Sequence, residues 1–378
     1  MHKTYDIMVL GLGANGSSAL YQLSKTGYKV AGIDQFTPPH TKGSSHGQSR
    51  IIRQAYYESP LYVPFLKQAY HYWHQLEAET GQQLLLQTGG LMLGSSDSVL
   101  VTGARLSAVT HQVPFEYLAA AEIKERFPAL KPEEDTVAIL EKEAGILYPE
   151  KCIEAFLHLA NQHGAALHFN EPVLKIIPGA TSVDIITANN RYTTQRLIVS
   201  AGAWLNQLLP GLQLPLTVAR QVLFWLKDEA GEPKPAFSPK QLPIYIWEFM
   251  PGKMFYGFAN LGEGIKIAMH HQGRPVEPGL LQNDVSESEV EDIKNLAHAY
   301  LDINPVLNYA ATCMYTNTPD EDFIIDFHPQ HPNIIIASPC SGHGFKFASF
   351  TGKILADMAT GFPVAEDISP FSISRFKA

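Results

Sequence analysis

Cysteine is scarce in this chain: Cys152, Cys313 and Cys340 are the only three among 378 residues. So few, so widely spaced, they exclude a disulfide framework, and no CxxC or Cys/His pattern of the zinc type occurs, so no metal is expected. Each cysteine taken alone reads as a small buried hydrophobe. Runs of basic residues are also missing and the formal charge is −9, which argues against nucleic acid or an anionic membrane surface as a partner. The N-terminal apolar run in MHKTYDIMVLGLG is too short to span a bilayer and lacks the small-residue cleavage pattern of a signal peptide; a cytoplasmic location is expected. There is no internal repeat and no low-complexity segment. What remains is 45% apolar and 17% charged over a length beyond the usual single core, which implies two domains or one with a large insertion.

What is present begins with YDIMVLGLGANGSSALYQLSKTGYKVAGID at 5–34. The apolar run 7–10 predicts a strand, Gly11, Gly13 and Gly16 a turn, and Ala19, Leu20 and Leu23 one side of a helix stopped by Gly27. Residues 29–33 supply a second strand ending at Asp34. Glycines at this spacing arise easily by chance. Set between a strand and a helix, with an acid about 20 residues on, they meet the context that dinucleotide binding requires. Gly11 permits the tight turn, Gly13 lets amides approach a pyrophosphate, and Gly16 lets helix and sheet pack closely. The helix N-terminus then offers unpaired N–H groups to negative charge, and Asp34 an acceptor to the adenosine ribose. NAD and FAD both satisfy this fingerprint.

Residues 35–58 are polar and too long for a connection without a function. Arg50 and Arg53 lie there three apart; on a helical turn they share a face, and their plain reading is a solvated surface pair. Helices are predicted at 62–78 and 151–163, and mixed strand and short helix at 84–93 and 115–146. RLIVSAGAW reads as a buried strand at 197–200 of the nucleotide-binding sheet, with Gly202 toward the cofactor. From 213 to 310, strands (VLFWL, IYIWEFM, MFYGFA, GIKIAMH) alternate with Pro- and Gly-containing turns and one helix at 287–301. Within GIKIAMH, Lys266 between two isoleucines reads as pointing to solvent from a half-buried strand. The final segment gives a strand at 334–337, a second glycine turn and a helix ended by Gly361. The fold class is therefore α/β: a Rossmann-type cofactor domain (1–85, 147–212 and 312–378) with an inserted, largely antiparallel-sheet substrate domain (86–146 and 213–311).

PPHTKGSSHGQSRIIRQAY, CMYTNTPDEDFIID, SGHGFKF and the terminal DISPFSISRF, in that order, resemble the monomeric sarcosine oxidase and N-methyltryptophan oxidase family of flavoenzymes. The resemblance runs from the first strand to the C-terminal tail. It implies an FAD-dependent amine oxidase, a monomer, that oxidises the C–N bond of a secondary amino acid such as sarcosine and passes the electrons to O₂, giving hydrogen peroxide. It implies that FAD is tethered through its 8α-methyl group to the cysteine of CMYT, Cys313. By the same resemblance Arg53 and Lys346 clamp the substrate carboxylate, Lys266 activates oxygen, and Arg50 balances charge on the reduced flavin. His270, Tyr315 and Tyr256 match active-site positions. Cofactor contacts are implied at Gly11, Gly13, Ala14, Asn15, Gly16, Asp34, Gln35, Ser44, His46, Ser49, Arg50, Val173, Gly202, Trp204, Cys313, Gly342, His343, Gly344, Phe345 and Lys346.

Gln48 and Ser49 stand where the family has aspartate and threonine, and IYIWEFMPGK aligns with the family's pocket-lining segment only with a gap. Ile246 or Trp247 then falls where the pocket wall begins. A bulky wall favours a small substrate, whereas a Trp247 turned away admits a larger one. The open alternatives are an N-methyltryptophan or cyclic imino acid oxidase, and a flavin amine dehydrogenase with an acceptor other than O₂. His270 and Tyr315 keep plain readings as a core histidine and a packed tyrosine, and Lys346 as a surface helix lysine.

Overall fold

Strands buried on both faces need a hydrophobic run rather than an alternation, and such runs build the first sheet. In this computed structural model, which describes residues 2–231, 234–281 and 283–376, His2–Leu10 lies parallel between Val30–Ile33 and Arg191–Val199. Ala166–His168 extends the parallel set on one side, and His331–Ser338 pairs parallel with Arg191–Val199 on the other. Val173–Pro178, Val183–Thr187 and Ile324–His328 add antiparallel margins. The helix Ala14–Ser24 packs against Pro149–Gln162 and Ala348–Thr360. The last of these ends where Gly361 adopts φ 78°.

The second sheet runs in the order Pro305–Asn317, Thr217–Asp228, Ile265–His270, Lys253–Phe258, Ile244–Met250, Gly90–Ser95, Thr136–Glu141, Glu116–Ala119. It is antiparallel except where Ile244–Met250 meets Gly90–Ser95. Its outer face is covered by the helix Glu287–Tyr300, which starts with a capping box: Ser286 accepts from the Glu289 amide and Glu289 accepts from the Ser286 amide. Ile293 and Ala297 of that helix share a core with Phe224, Leu226, Trp247 and Phe255. The inner face carries Leu223, Trp225, Ala268 and Cys313. Arg50–Ile52, Gly145–Leu147 and Leu85–Gln87 form a small third sheet.

Two local readings are corrected. Arg50 belongs to a strand rather than a helical turn, and Arg53 just beyond it is 1% exposed, so the two arginines are no solvated pair. Lys266 is 2% exposed because the helix-side core covers one face of its strand while Trp225 and the 47–49 loop cover the other. The strand carrying Cys313 also runs unbroken across 311/312, paired with Thr217–Asp228 along its length.

Candidate active site

Two cavities lie between the sheets. The first, of about 270 Å³, opens at the carboxyl ends of the parallel strands, where Leu10, Gly11, Ile33, Asp34, Ser200 and Ala337 line it. Open α/β sheets bind ligands in such a crevice. The second, of about 130 Å³, lies under the inner face of the second sheet, with Cys313, Tyr315, Tyr256, Arg53 and Lys346 in its walls. Ala14, Asn15, Ser44, Ser45, Pro339 and Cys340 line both, so one long ligand can extend from the first into the second.

The first cavity is walled by backbone. Gly11 adopts φ +88°, and a Cβ there would fall 2.4 Å from Ser200 O; a Cβ on Gly16 would fall 1.8 Å from Gly11 O. Strand and helix meet as closely as the sequence predicts. Gly13 caps the helix Ala14–Ser24 and no side chain of its own competes for the helix amides. Asp34 accepts the Leu12 amide at 2.7 Å and the Phe36 amide at 2.8 Å, so it braces the glycine turn as well as facing the cavity. Burial raises its carboxyl above the usual range, against those two amides and His40. Gln35, Val173, Gly202 and Trp204 complete this lining. Asn15 Oδ1 is buried with no partner among the described residues. An unpaired acceptor at the junction of the cavities, beside an open helix N-terminus, fits the hydroxyls and pyrophosphate of an adenine dinucleotide.

The second cavity is walled by charge. Arg53 Nη2 donates to both Glu58 oxygens at 2.8 and 2.7 Å and Nη1 to Ala55 O at 3.0 Å, while its buried Nε has no partner among the described residues. Its guanidinium lies 4.4 Å from the Tyr56 ring centroid and 4.9 Å from that of Tyr57. Lys346 Nζ lies 5.2 Å from the same Tyr56 ring and donates to His343 O at 2.8 Å. Burial, then Arg53, pushes Lys346 down to about 7. Burial would raise Glu58, but Arg53 and then His343 and Lys346 outweigh it and hold the carboxyl below its ordinary range. When Lys346 is protonated, two cations face one carboxylate, and the uncompensated charge favours an anionic ligand.

His270 sits with its ring centroid 6.2 Å from Tyr256 and 6.1 Å from Tyr315, all three lining this cavity. Burial, then His271, His343, Lys346 and Arg53, pushes His270 well below the usual histidine range, so it is neutral at physiological pH. Gly342, His343, Gly344 and Phe345 form the opposite wall. Cys313, 1% exposed, is a free thiol among Leu223, Trp225 and Ala268. Burial raises its pKa, while Arg50 and Lys266 pull it toward the thiolate.

Four of the sequence-derived positions, Gly16, His46, Ser49 and Lys266, stand behind these walls and line neither of these two cavities. Lys266 Nζ donates to Gly47 O at 2.7 Å, Ser49 O at 2.9 Å and Ser49 Oγ at 3.1 Å. Arg50 donates to Ser49 O at 2.8 Å and Ser44 O at 2.7 Å, so both cations brace one loop. Three acceptors complement an ammonium, yet burial and then Arg50 push Lys266 well below the lysine range. His46 is pushed down to about 4 by burial and then Arg50, and its Nε2 has no partner among the described residues. Lys346, 6% exposed, is not a surface lysine. Ile246 lines the second cavity, whereas Trp247 turns to the outer core and stacks on Phe255 at 5.9 Å.

Sequence reasoning missed Tyr57 and Glu58 in the cavity wall and the buried Glu141 and half-buried Glu150 behind it. Glu58 follows an arginine by five residues in AYYES, a spacing with no periodic meaning, and the other two act across more than a hundred or nearly a hundred residues.

The model of the FAD dependent oxidoreductase family matches residues 6–358. A monomeric sarcosine oxidase of Streptomyces avermitilis is 42% identical, with 100% of this chain and 99% of that protein covered. An N-methyl-L-tryptophan oxidase of Yersinia pestis is 34% identical over 99% of this chain and 100% of its own. Among solved structures, the open form of NikD, an unusual amino acid oxidase essential for nikkomycin biosynthesis, has a TM-score of 0.85 at 22% identity, covering 98% of this chain and 97% of its own. That likeness extends the fold to a distant sequence. With a dinucleotide crevice leading into a cationic, aromatic-walled cavity, the chain belongs to the FAD dependent oxidoreductase family and is similar over its full length to sarcosine oxidases.

Proposed function

We propose that this protein oxidises the C–N bond of a secondary, N-methyl amino acid such as sarcosine, using FAD and O₂. The observation that carries the reading is the buried pair Arg53 and Lys346 flanking one tyrosine ring in a cavity that also holds Cys313. Arg53, with Nη2 held by Glu58 and Nη1 by Ala55 O, offers its unpartnered Nε to a carboxylate and Lys346 adds a point charge, each contact contributing about 1.5–3 kcal/mol. Tyr256, Tyr315 and the neutral His270 then enclose the amine end and exclude water. FAD held by these residues would supply a two-electron acceptor for a hydride equivalent from the carbon next to nitrogen, with O₂ as the terminal acceptor and hydrogen peroxide as the product. Hydrolysis of the resulting imine releases formaldehyde and the primary amino acid. Arg50 and Lys266 supply fixed positive charge where negative charge develops, and Cys313 supplies a thiol for 8α-S-cysteinyl attachment. No general base is needed if the amine enters unprotonated.

The reading extends to two domains divided along the two large sheets, and to a cytoplasmic monomer. Three unpaired cysteines are in keeping with a reducing compartment, and full-length similarity to monomeric sarcosine oxidases supports a single subunit. A second reading, a larger N-methyl side chain, is favoured by Trp247 turning out of the wall and leaving Ile246 there. A peroxide-coupled assay of sarcosine, N-methyltryptophan, proline and pipecolate tests both. Sarcosine turnover with stoichiometric peroxide is expected. Peroxide only from N-methyltryptophan would select the second reading. Reduction of the flavin by substrate without peroxide would sink the oxidase.

A further inference from the structure

Glu141 lies outside both cavities, fully buried at the end of the strand Thr136–Glu141. Its two carboxylate oxygens accept the Gln54 amide at 2.9 Å, and Oε2 also accepts the Ala55 amide at 2.7 Å. These are the two residues that follow Arg53, and Ala55 returns its carbonyl to Arg53 Nη1 at 3.0 Å. One buried carboxylate thus fixes the backbone from which the guanidinium springs, and that backbone fixes the guanidinium. A buried carboxylate is costly unless its lone pairs are filled, and an apolar residue in its place would leave two amides unpaired.

We propose that Glu141 is a positioning residue for Arg53, and that its hold on the Gln54–Ala55 turn makes affinity for the substrate carboxylate fall on the acid side of neutrality. The proposal rests on Arg53 being the carboxylate clamp. The groups that face Glu141 are Arg53 on the segment it holds, Glu143 in its own turn, and Tyr70 from the helix Val63–Thr80. Glu143 accepts from the Gln54 side chain at 2.7 Å and its carbonyl accepts from the Tyr70 hydroxyl at 3.0 Å. Burial lifts the Glu141 carboxyl to about 7, against the two amides and Arg53. Once protonated, the carboxyl loses its charge and the oxygen that carries hydrogen becomes a weaker acceptor, so both amides are held less firmly and the turn loses part of its anchor as pH falls.

The test is a titration of the FAD-loaded protein with acetate, a carboxylate with no amine to titrate, followed by flavin absorbance between about pH 5.5 and 8. Lys346, which flanks the same anion and is pushed down to about 7, gains its proton over this range and would mask the effect, so the titration is made on Lys346→Arg, which is expected to bind acetate about tenfold more weakly at the acid end. Glu141→Gln in that background is expected to bind acetate about tenfold more weakly at neutral pH and to lose the acid-side fall, and Glu141→Gln alone to change kcat for saturating sarcosine less than about threefold. Glu143→Gln, at an exposed neighbour, is expected to keep it. A Lys346→Arg affinity that is flat across the acid range overturns the proposal, as does an acid-side fall retained when Glu141→Gln is added to it. Acetate that leaves the flavin spectrum unmoved in a protein that does not oxidise sarcosine overturns the Arg53 reading and this proposal with it. Acetate bound and sarcosine oxidised, with no acid-side fall, overturns this proposal alone.

Discussion

The two cavities are built from opposite materials. Backbone walls the first: a glycine turn, a helix N-terminus, strand ends, and an acid, Asp34, whose oxygens take backbone amides. Buried charge walls the second: Arg53, Glu58 and Lys346, with Arg50 and Lys266 bracing the loop behind. Backbone donors have fixed directions and lose no side-chain entropy on binding, so they suit a cofactor of constant shape. Buried charges are costly to desolvate and persist only with partners, so they suit a small ligand whose own charge completes the set.

The sharpest way to break that contrast is to remove one charge. Arg53→Met is expected to lower kcat/KM for sarcosine about 10²- to 10⁴-fold while FAD content stays as in wild type, since two charge-assisted contacts of about 1.5–3 kcal/mol each are lost. Equal loss of FAD would mean that the two walls are one cooperative unit. Next in size, Lys266→Met is expected to slow reoxidation of the reduced protein by O₂ about 10²- to 10³-fold in stopped flow, with reduction of the flavin by substrate little changed. Unchanged reoxidation would confine Lys266 to bracing the 47–49 loop.

Within the glycine turn that walls the second cavity, a Cβ at Gly344 would come 1.7 Å from Pro339 O, so Gly344→Ala is expected to destabilise the protein by about 3 kcal/mol and lower its FAD content, measured by thermal melting and flavin absorbance. The alkaline side sharpens the charge wall further. Lys346 at about 7 loses its proton as pH rises, so KM for sarcosine, corrected for ionisation of the substrate amine, is expected to climb about tenfold above neutrality; Lys346→Arg should flatten that limb. The same depression means that the unfolded chain binds the Lys346 proton between about 7 and 10.5 while the folded one does not, so this group makes stability rise with pH across that window. The smallest expected change is at Cys313, where Cys313→Ala should leave folding within about 1–2 kcal/mol and move the yellow colour from the acid-precipitated pellet to the supernatant. Colour already free in wild type would remove the tether.

The backbone wall was largely legible in the sequence. The strand, the turn at Gly11, the helix and Asp34 follow one another within a few residues, and each signal is local: a run of apolar residues, a demand for positive φ, a helical period. The charge wall was legible by position but not by environment. Alternation put Lys266 in solvent, and spacing put Arg50 and Arg53 on a wet helix face; both rules assume one open face, and here neither side is open. Glu58 and Glu141 carried no local signal at all, since a hydrogen bond from Ala55 to a carboxylate 86 residues away depends on how the turn after one strand comes to lie against the end of a strand in another sheet.

The sequence by itself therefore determined the α/β class, the order of its elements and the dinucleotide crevice, because backbone conformation is set by neighbours along the chain. Only the tertiary structure decided which charges are buried, that Arg53 and Lys346 share the Tyr56 ring, and that Glu141 ties down the Arg53 turn. Burial and pairing are properties of segments far apart in sequence, and desolvation, which sets the state of these groups, exists only once they have been brought together.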